Sequence, residues 1–229
     1  ENSLAEARWV QSIAGANPDW PLKQVVFVDA TADDLDFQLN AVQALPSVVG
    51  VRQIVGRAPG EDAVTGTNTL LDNPAFVAGL QNAGQRGLSF DLQLIPELMG
   101  KTADLLARAP DTAVALCHAG SPHDRSNDGL ARWAAELCAL SDLPQVRCKL
   151  SGLGMFEHDW VSESFRPIVE TCLNQFGSNR VMFGSNFPVD KLYSNYSTLV
   201  QTYRDLIPRE MHQAVFNDTA ADFYSISQI

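Results

Sequence analysis

Ala115-Leu116-Cys117-His118-Ala119-Gly120-Ser121-Pro122 is an apolar run that closes on an imidazole and then breaks into a Gly and Pro turn. A short, continuous apolar run suits a parallel strand covered on both faces. A polar group at the end of such a strand is the arrangement of α/β barrel enzymes, whose chemistry gathers at C-terminal strand ends. The same grammar repeats on either side. Further strand-like runs, rich in Val, Leu, Ile or Phe, occupy residues 25–30, 48–55, 88–95, 146–151 and 181–183, with 112–118 as the run just quoted. Helical patterns fill the intervals at 33–44, 76–85, 96–109, 128–140, 162–176 and 208–224, and another lies around 5–13. Asn73-Pro74 gives the 76–85 helix a cap and an early Pro.

Strands alternating with helices build either a doubly wound sheet or a closed barrel. A nucleotide-binding doubly wound sheet carries Gly-x-Gly-x-x-Gly after an early strand. Here Gly152-Leu153-Gly154 is too short a match and follows a late strand. The expected fold is therefore α/β, a TIM-type (β/α)8 barrel, as a single domain over residues 1–229, since no stretch reads as a linker or repeat. With 229 residues the chain falls short of the usual length of such a barrel, about 250.

The bulk chemistry narrows the partners. The net charge is -11, from 27 acidic and 16 basic residues, which argues against nucleic acid and against anionic membranes. No apolar run approaches the 18 or so residues of a membrane span, and the first twenty residues have no signal-peptide pattern, so cytoplasm is the expected location. Cys117, Cys138, Cys148 and Cys172 are widely spaced and read as reduced, mostly buried small hydrophobes. The chain begins with Glu1, which is not a natural translation start.

Candidate site residues sit at strand ends. Arg52 and Gln53 interrupt an apolar strand, where a charge needs a pair or a cavity; Arg52 reads either as a salt bridge or as a carboxylate holder. Asp91 and Gln93 alternate with apolar residues and share one side of their strand, for ligand contact or for internal packing. His118 occupies the place of an acid–base group, and His123 follows on the loop as a second pocket residue or as plain surface. Asn186 and Asp190 are the polar groups at the mouth of the last strand, with Asp190 either a general base or a capping carboxylate. Lys149 admits a different chemistry, a Schiff-base aldolase, if it is desolvated beside an acid–base partner.

Five segments taken together resemble the amidohydrolase-superfamily lactonases, the family of the pyrone-dicarboxylate and the fuconate or rhamnonate lactonases. They are residues 50–55, Phe90-Asp91-Leu92-Gln93, His118-Ala119-Gly120-Ser121-Pro122, Lys149-Leu150-Ser151-Gly152-Leu153 and residues 182–189, in the family's order. The resemblance implies a distorted barrel of the metal-dependent-hydrolase type in which residues 25–30 form the third strand and 181–183 the eighth. It implies lactone hydrolysis by activated water, with His118 at the sixth-strand His, Arg52 towards the substrate, and a small lactone or hydroxy acid as partner. No cofactor is required by it, although some members use a divalent ion such as zinc. Two features depart from the pattern. The His-x-His of the family's first strand is absent, so roughly the first two strands are expected to be missing, leaving an open seam that favours a homo-oligomer. Asn186 stands where the family commonly has an Asp base, which moves that role to Asp190 or turns the chain into a non-catalytic binding protein.

Overall fold

The computed structural model describes residues 3–226. Six parallel strands, β1 (Gln24–Phe27), β2 (Val48–Ile54), β3 (Ser89–Gln93), β4 (Val114–Leu116), β5 (Val146–Leu150) and β6 (Val181–Phe183), pair strictly in chain order. A doubly wound sheet reverses its strand order at a switch point. This one does not reverse, so it winds in one direction only, as the wall of a barrel does. Among the described residues β1 and β6 are its two edges.

Helix α1 (Ser3–Ala16) precedes β1; α2 (Leu35–Gln43), α3 (Pro59–Thr65), α4 (Ala75–Gln85), α5 (Met99–Leu106), α6 (Asn127–Ser141) and α7 (Ser162–Phe176) connect the strands; α8 (Tyr196–Leu206) and α9 (Thr219–Phe223) follow β6. The two-residue period of the strands sorts side chains cleanly. Val51, Phe90, Leu92, Val114, Leu116, Val146, Cys148, Leu150 and Val181 face the helices and form the main core with Leu80, Leu106, Trp133, Leu137, Ile168 and Leu199. The alternate residues form an inner face, where a smaller cluster of Ala115, Met182 and Tyr224 is backed by Val25, Val49, Phe223 and Ile226. The segment after β6 thus returns under the sheet and fills its inner face with Tyr224, which is buried.

Several expected boundaries shift for local reasons. The strand expected at 25–30 stops at Phe27, because the backbone N–H of Ala30 is taken by the Gln53 side chain at 3.0 Å. The strand expected to 118 stops at Leu116, where left-handed residues begin. Residues 208–224 are not one helix but a 3-10 turn (Arg209–Met211), a π turn (Ala214–Asp218) and α9. Helices α3 and α8 lie where no helix was expected, although Asn195 caps α8 in the ordinary way by accepting from Thr198 N–H at 2.9 Å. All four cysteines are free, three of them buried and Cys138 exposed, and the Cys148 and Cys172 sulfurs lie 3.7 Å apart without a bond.

Candidate active site at the strand ends

After β4 the chain makes a turn of unusual hand. His118, Ala119, Gly120 and Ser121 have φ of 55°, 52°, 69° and 52°, four successive left-handed residues. Left-handed backbone costs an ordinary L-residue about 1–2 kcal/mol, so the surroundings must hold it. Trp133 of α6, fully buried, donates its indole N–H to the Ala119 carbonyl at 2.8 Å. Met99 packs where a Cβ on residue 120 would stand, its Cε only 2.0 Å from that position, which explains glycine there. The turn throws the His118 ring over the end of β5, where Nδ1 lies 2.9 Å from Ser151 Oγ.

A second left-handed residue meets it. Asn186, φ 55°, follows β6, and its Nδ2 donates to Asp190 Oδ1 at 3.0 Å and approaches Met155 Sδ at 3.4 Å. Both groups converge on Gly152: a Cβ there would lie 2.6 Å from His118 Nδ1, 2.8 Å from Met155 Cε and 3.1 Å from Asn186 Nδ2. Gly152 also has φ 62°. Gly152→Ala is therefore expected to displace both side chains and to lower stability by about 1–2 kcal/mol from backbone strain alone. Thermal unfolding at unchanged activity would show that His118 and Asn186 do not depend on this close approach.

Cations surround the imidazole. Arg52 lies on the inner face of β2 and donates from Nη2 to Gln93 Oε1 at 3.2 Å. Lys149 on β5 bonds Asp91 Oδ2 at 2.9 Å across β4, where the small Ala115 lies between the strands and Cys117 Sγ comes within 3.8 Å of the same oxygen. Tyr224 Oη donates to the same carboxylate and lies 3.2 Å from Lys149 Nζ. Burial first, then the charges of Lys149 and Arg52, push His118 down to about 4, against the upward pull of Ser151. The ring is neutral at pH 7. An unfolded His titrates near 6.5, so the unfolded chain binds the extra proton throughout the window from 6.5 down to about 4. Stability from this residue is whole above pH 6.5 and is lost as pH falls towards 4. Denaturant midpoints from pH 7 to 4 are expected to fall less in His118→Asn than in the parent chain; identical slopes would count against the shift.

Lys149 is the reverse case. Burial pulls it down, but the Asp91 charge and hydrogen bond outweigh burial and the net shift is upward. A protonated amine has no lone pair for a carbonyl, so the aldolase chemistry finds no support. Asp190 is buried with Oδ2 unpartnered, and burial raises its carboxyl while Asn186 lowers it.

The strand-end residues are thus partly brought together. His118, Asn186 and Asp190 form one group, and Arg52, Gln93 and Asp91 a second on the same inner face. Gln53 points to the helix side, buried, with its amide bonded to Asp29 Oδ1 (3.1 Å) and to Ala30 N–H. His123 pairs with Glu97 at 3.3 Å on the loop away from this group. Ser151, quoted in a strand-end segment but given no role, enters the candidate site with Met155 and Tyr224, which were unforeseen; Tyr224 had no signal, being 133 residues from Asp91. Among the described residues no three His, Cys, Asp or Glu side chains gather in a way that could hold a metal ion. Zinc takes three or four such donors, so the described residues alone do not fit one and no step is derived through it.

Residues 4–226 match the family profile described as Amidohydrolase. An uncharacterized protein, y4mH, of Sinorhizobium fredii (strain NBRC 101917 / NGR234) is 32% identical over 98% of this chain and 76% of its own length. An L-fucono-1,5-lactonase of Burkholderia multivorans is 31% identical over 69% of this chain and 58% of its own length. Among solved structures, an amidohydrolase from Burkholderia multivorans with bound zinc superposes with a TM-score of 0.82 at 23% identity, covering 97% of this chain and 80% of that one. A Pseudomonas putida structure described as a candidate 2-pyrone-4,6-dicarboxylic acid hydrolase gives a TM-score of 0.74 at 20% identity, over 97% and 78%.

Proposed function

The chain belongs to the amidohydrolase family of hydrolases, and from that premise we propose that it serves to open the lactone ring of a small, carboxylated substrate. The approach of His118 Nδ1 and Asn186 Nδ2 to Gly152 carries this reading, because it brings an imidazole and an amide together at the strand ends. The lactonase name of a relative 31% identical supports the same bond type.

In this reading water adds to the lactone carbonyl, the ring C–O bond breaks, and the ring oxygen takes the proton that the water gives up. With the Ser151 hydroxyl donating to Nδ1 of His118, the ring proton sits on Nε2 and can bond the developing oxyanion. A neutral imidazole suits that task, since it gives a hydrogen bond without giving up its proton. Asp190 accepts from Asn186 Nδ2, which turns the amide oxygen of Asn186 outward to accept from the attacking water. The Asp190 carboxylate supplies negative charge behind it. Arg52, braced by Gln93, holds the substrate carboxylate in the bidentate manner open to a guanidinium. Asp91 acts from below by keeping Lys149 charged, while Gln53 and His123 stand outside the reacting centre.

The test is hydrolysis of a panel of sugar-acid and carboxylated pyrone-type lactones, followed by acid release with and without added zinc. Turnover of a carboxylated member is expected. A folded protein that opens none of them would overturn the reading. Tight binding without turnover would favour a non-catalytic binding protein, the reading that Asn186 in place of an acid supports.

A further inference from the structure

Among the described residues six buried side-chain atoms lack a hydrogen-bond partner, and four of the six belong to Arg125 (Nε and Nη1), Asp190 (Oδ2) and Tyr203 (Oη). These three residues come from different parts of the chain: the loop before α6, the turn after β6, and α8. Arg125 touches the turn Leu153–Phe156 that follows β5, Asp190 reaches it through Asn186, and Tyr203 packs beside the end of β6 that leads to Asn186. Arg125 donates from Nη2 to the Leu153 carbonyl at 2.8 Å, and its guanidinium stands 5.9 Å from the Phe156 ring centroid. Asn186, the partner of Asp190, touches Met155 of the same turn. The Tyr203 ring, 0% exposed, packs 5.2 Å from Phe183 at the end of β6 and 5.9 Å from Phe165, which stacks on Trp160.

Their chemistry is complementary. Arg125 offers two donor nitrogens, Asp190 one acceptor oxygen, and Tyr203 a hydroxyl able to do both. Buried polar groups are ordinarily satisfied, and water placed among two to four of them does so well. The charges of Asp190 and Arg125 both reach the Tyr203 phenol: burial pushes it up first, Asp190 pushes it further, and Arg125 opposes. We propose that Tyr203 and Arg125 are positioning residues for the candidate site: through ordered water in the polar interior behind Asn186 they bind the inner oxygen of Asp190 and hold the Asn186 amide towards the substrate. This rests on the lactonase reading for its catalytic meaning but not for its physical content.

The groups that face this interior are few. Asn186 donates to Asp190 from its own loop. Arg125 feels Glu157 as well as Tyr203, and Tyr203 feels Cys172 of α7 and Cys148 of β5 besides Asp190 and Arg125. Removing the phenol removes a donor to the carboxylate, so Asp190 holds its proton more tightly. The sign is therefore definite: the Asp190 titration moves to higher pH.

The experiment is a carboxyl carbon NMR titration of the full chain, with Asp190→Asn as the assignment control. In Tyr203→Phe the Asp190 inflection is expected to rise by about one pH unit. On a responsive lactone kcat is expected to fall about tenfold with KM unchanged, the acid limb of kcat moving up with the inflection. Should Tyr203→Phe fail to fold, Arg125→Gln is expected to move the inflection the same way. An unmoved inflection in a folded variant overturns the proposal. Because the titration needs no substrate, a protein that hydrolyses no lactone would sink the functional reading and leave this result standing.

Discussion

His118→Ala is expected to lower kcat on a responsive lactone by about 10²–10³-fold, the loss typical of removing one oxyanion donor, with KM changed little. The argument is geometric. The ring is carried by a turn of four left-handed residues, held neutral by burial and by Lys149 and Arg52, and given a fixed partner in Ser151. The ring is only half-buried and its hydrogen bond is to a hydroxyl, so it contributes less to packing than an enclosed apolar side chain would. Stability should therefore change little at pH 7, and at pH 5 the variant should be relatively more stable than the parent, because it no longer hides a titratable group. His118→Gln retains a donor at similar reach and is expected to recover part of the rate. Steady-state kinetics on the three proteins check this. A His118→Ala enzyme within twofold of the parent would remove the imidazole from the mechanism.

The second large effect concerns stability. Asp91→Ala is expected to destabilise the fold by about 3–5 kcal/mol, the range for removing one partner of a buried ion pair. The lower end applies, because the Lys149 side chain is still 25% exposed. Asp91 is 3% exposed and its oxygens serve both Lys149 and Tyr224, so truncation leaves an ammonium and a phenol without their acceptor on the inner face. The double variant Asp91→Ala with Lys149→Met should recover much of the loss, since an uncharged inner face no longer needs the carboxylate. Urea unfolding of the single and double variants measures the coupling. A single variant within 1 kcal/mol of the parent, on this order-of-magnitude scale, would mean that the pair carries no weight in the fold.

The strands were legible because each is a short apolar run, and an apolar run is what a wall covered by helices requires. Their ends were harder to place. Phe27 ends β1 three residues early because a side chain from β2 captures the Ala30 N–H, and such a capture leaves no local trace in sequence. Helix α8 was legible in principle, with Asn195 as cap and Leu199, Thr202, Tyr203 and Leu206 buried along one stripe. The long pattern at 208–224 hid two breaks because its apolar residues keep helical spacing through them.

At the candidate site, the strand-end rule singled out His118 and Asn186, whose side chains the fold brings together, but it could not tell inward from outward. Arg52 and Gln53 are adjacent, so the alternation of a strand sends one to the inner face and the other to the helices. The packed positions Val51 and Val55 share a side with Gln53, and that periodicity could have separated the two. Arg125, Tyr203 and Tyr224 lie outside every strand-end motif; only folding brings them to the site. The family match reaches both groups as a whole, but it gives no residue its partner.

The plug formed by Tyr224 has a consequence for the order in which the molecule matures. Asp91 and Tyr224 are 133 positions apart, so on the ribosome the carboxylate is made long before the phenol that covers it. Closing so wide a loop is slow compared with pairing neighbouring strands. The helix-facing side can therefore consolidate first, while the inner face stays wet and its charges hydrated. The inner face around Asp91 and Lys149 is covered after the wall, and until that moment a nascent chain has its strands without the phenol that closes over them.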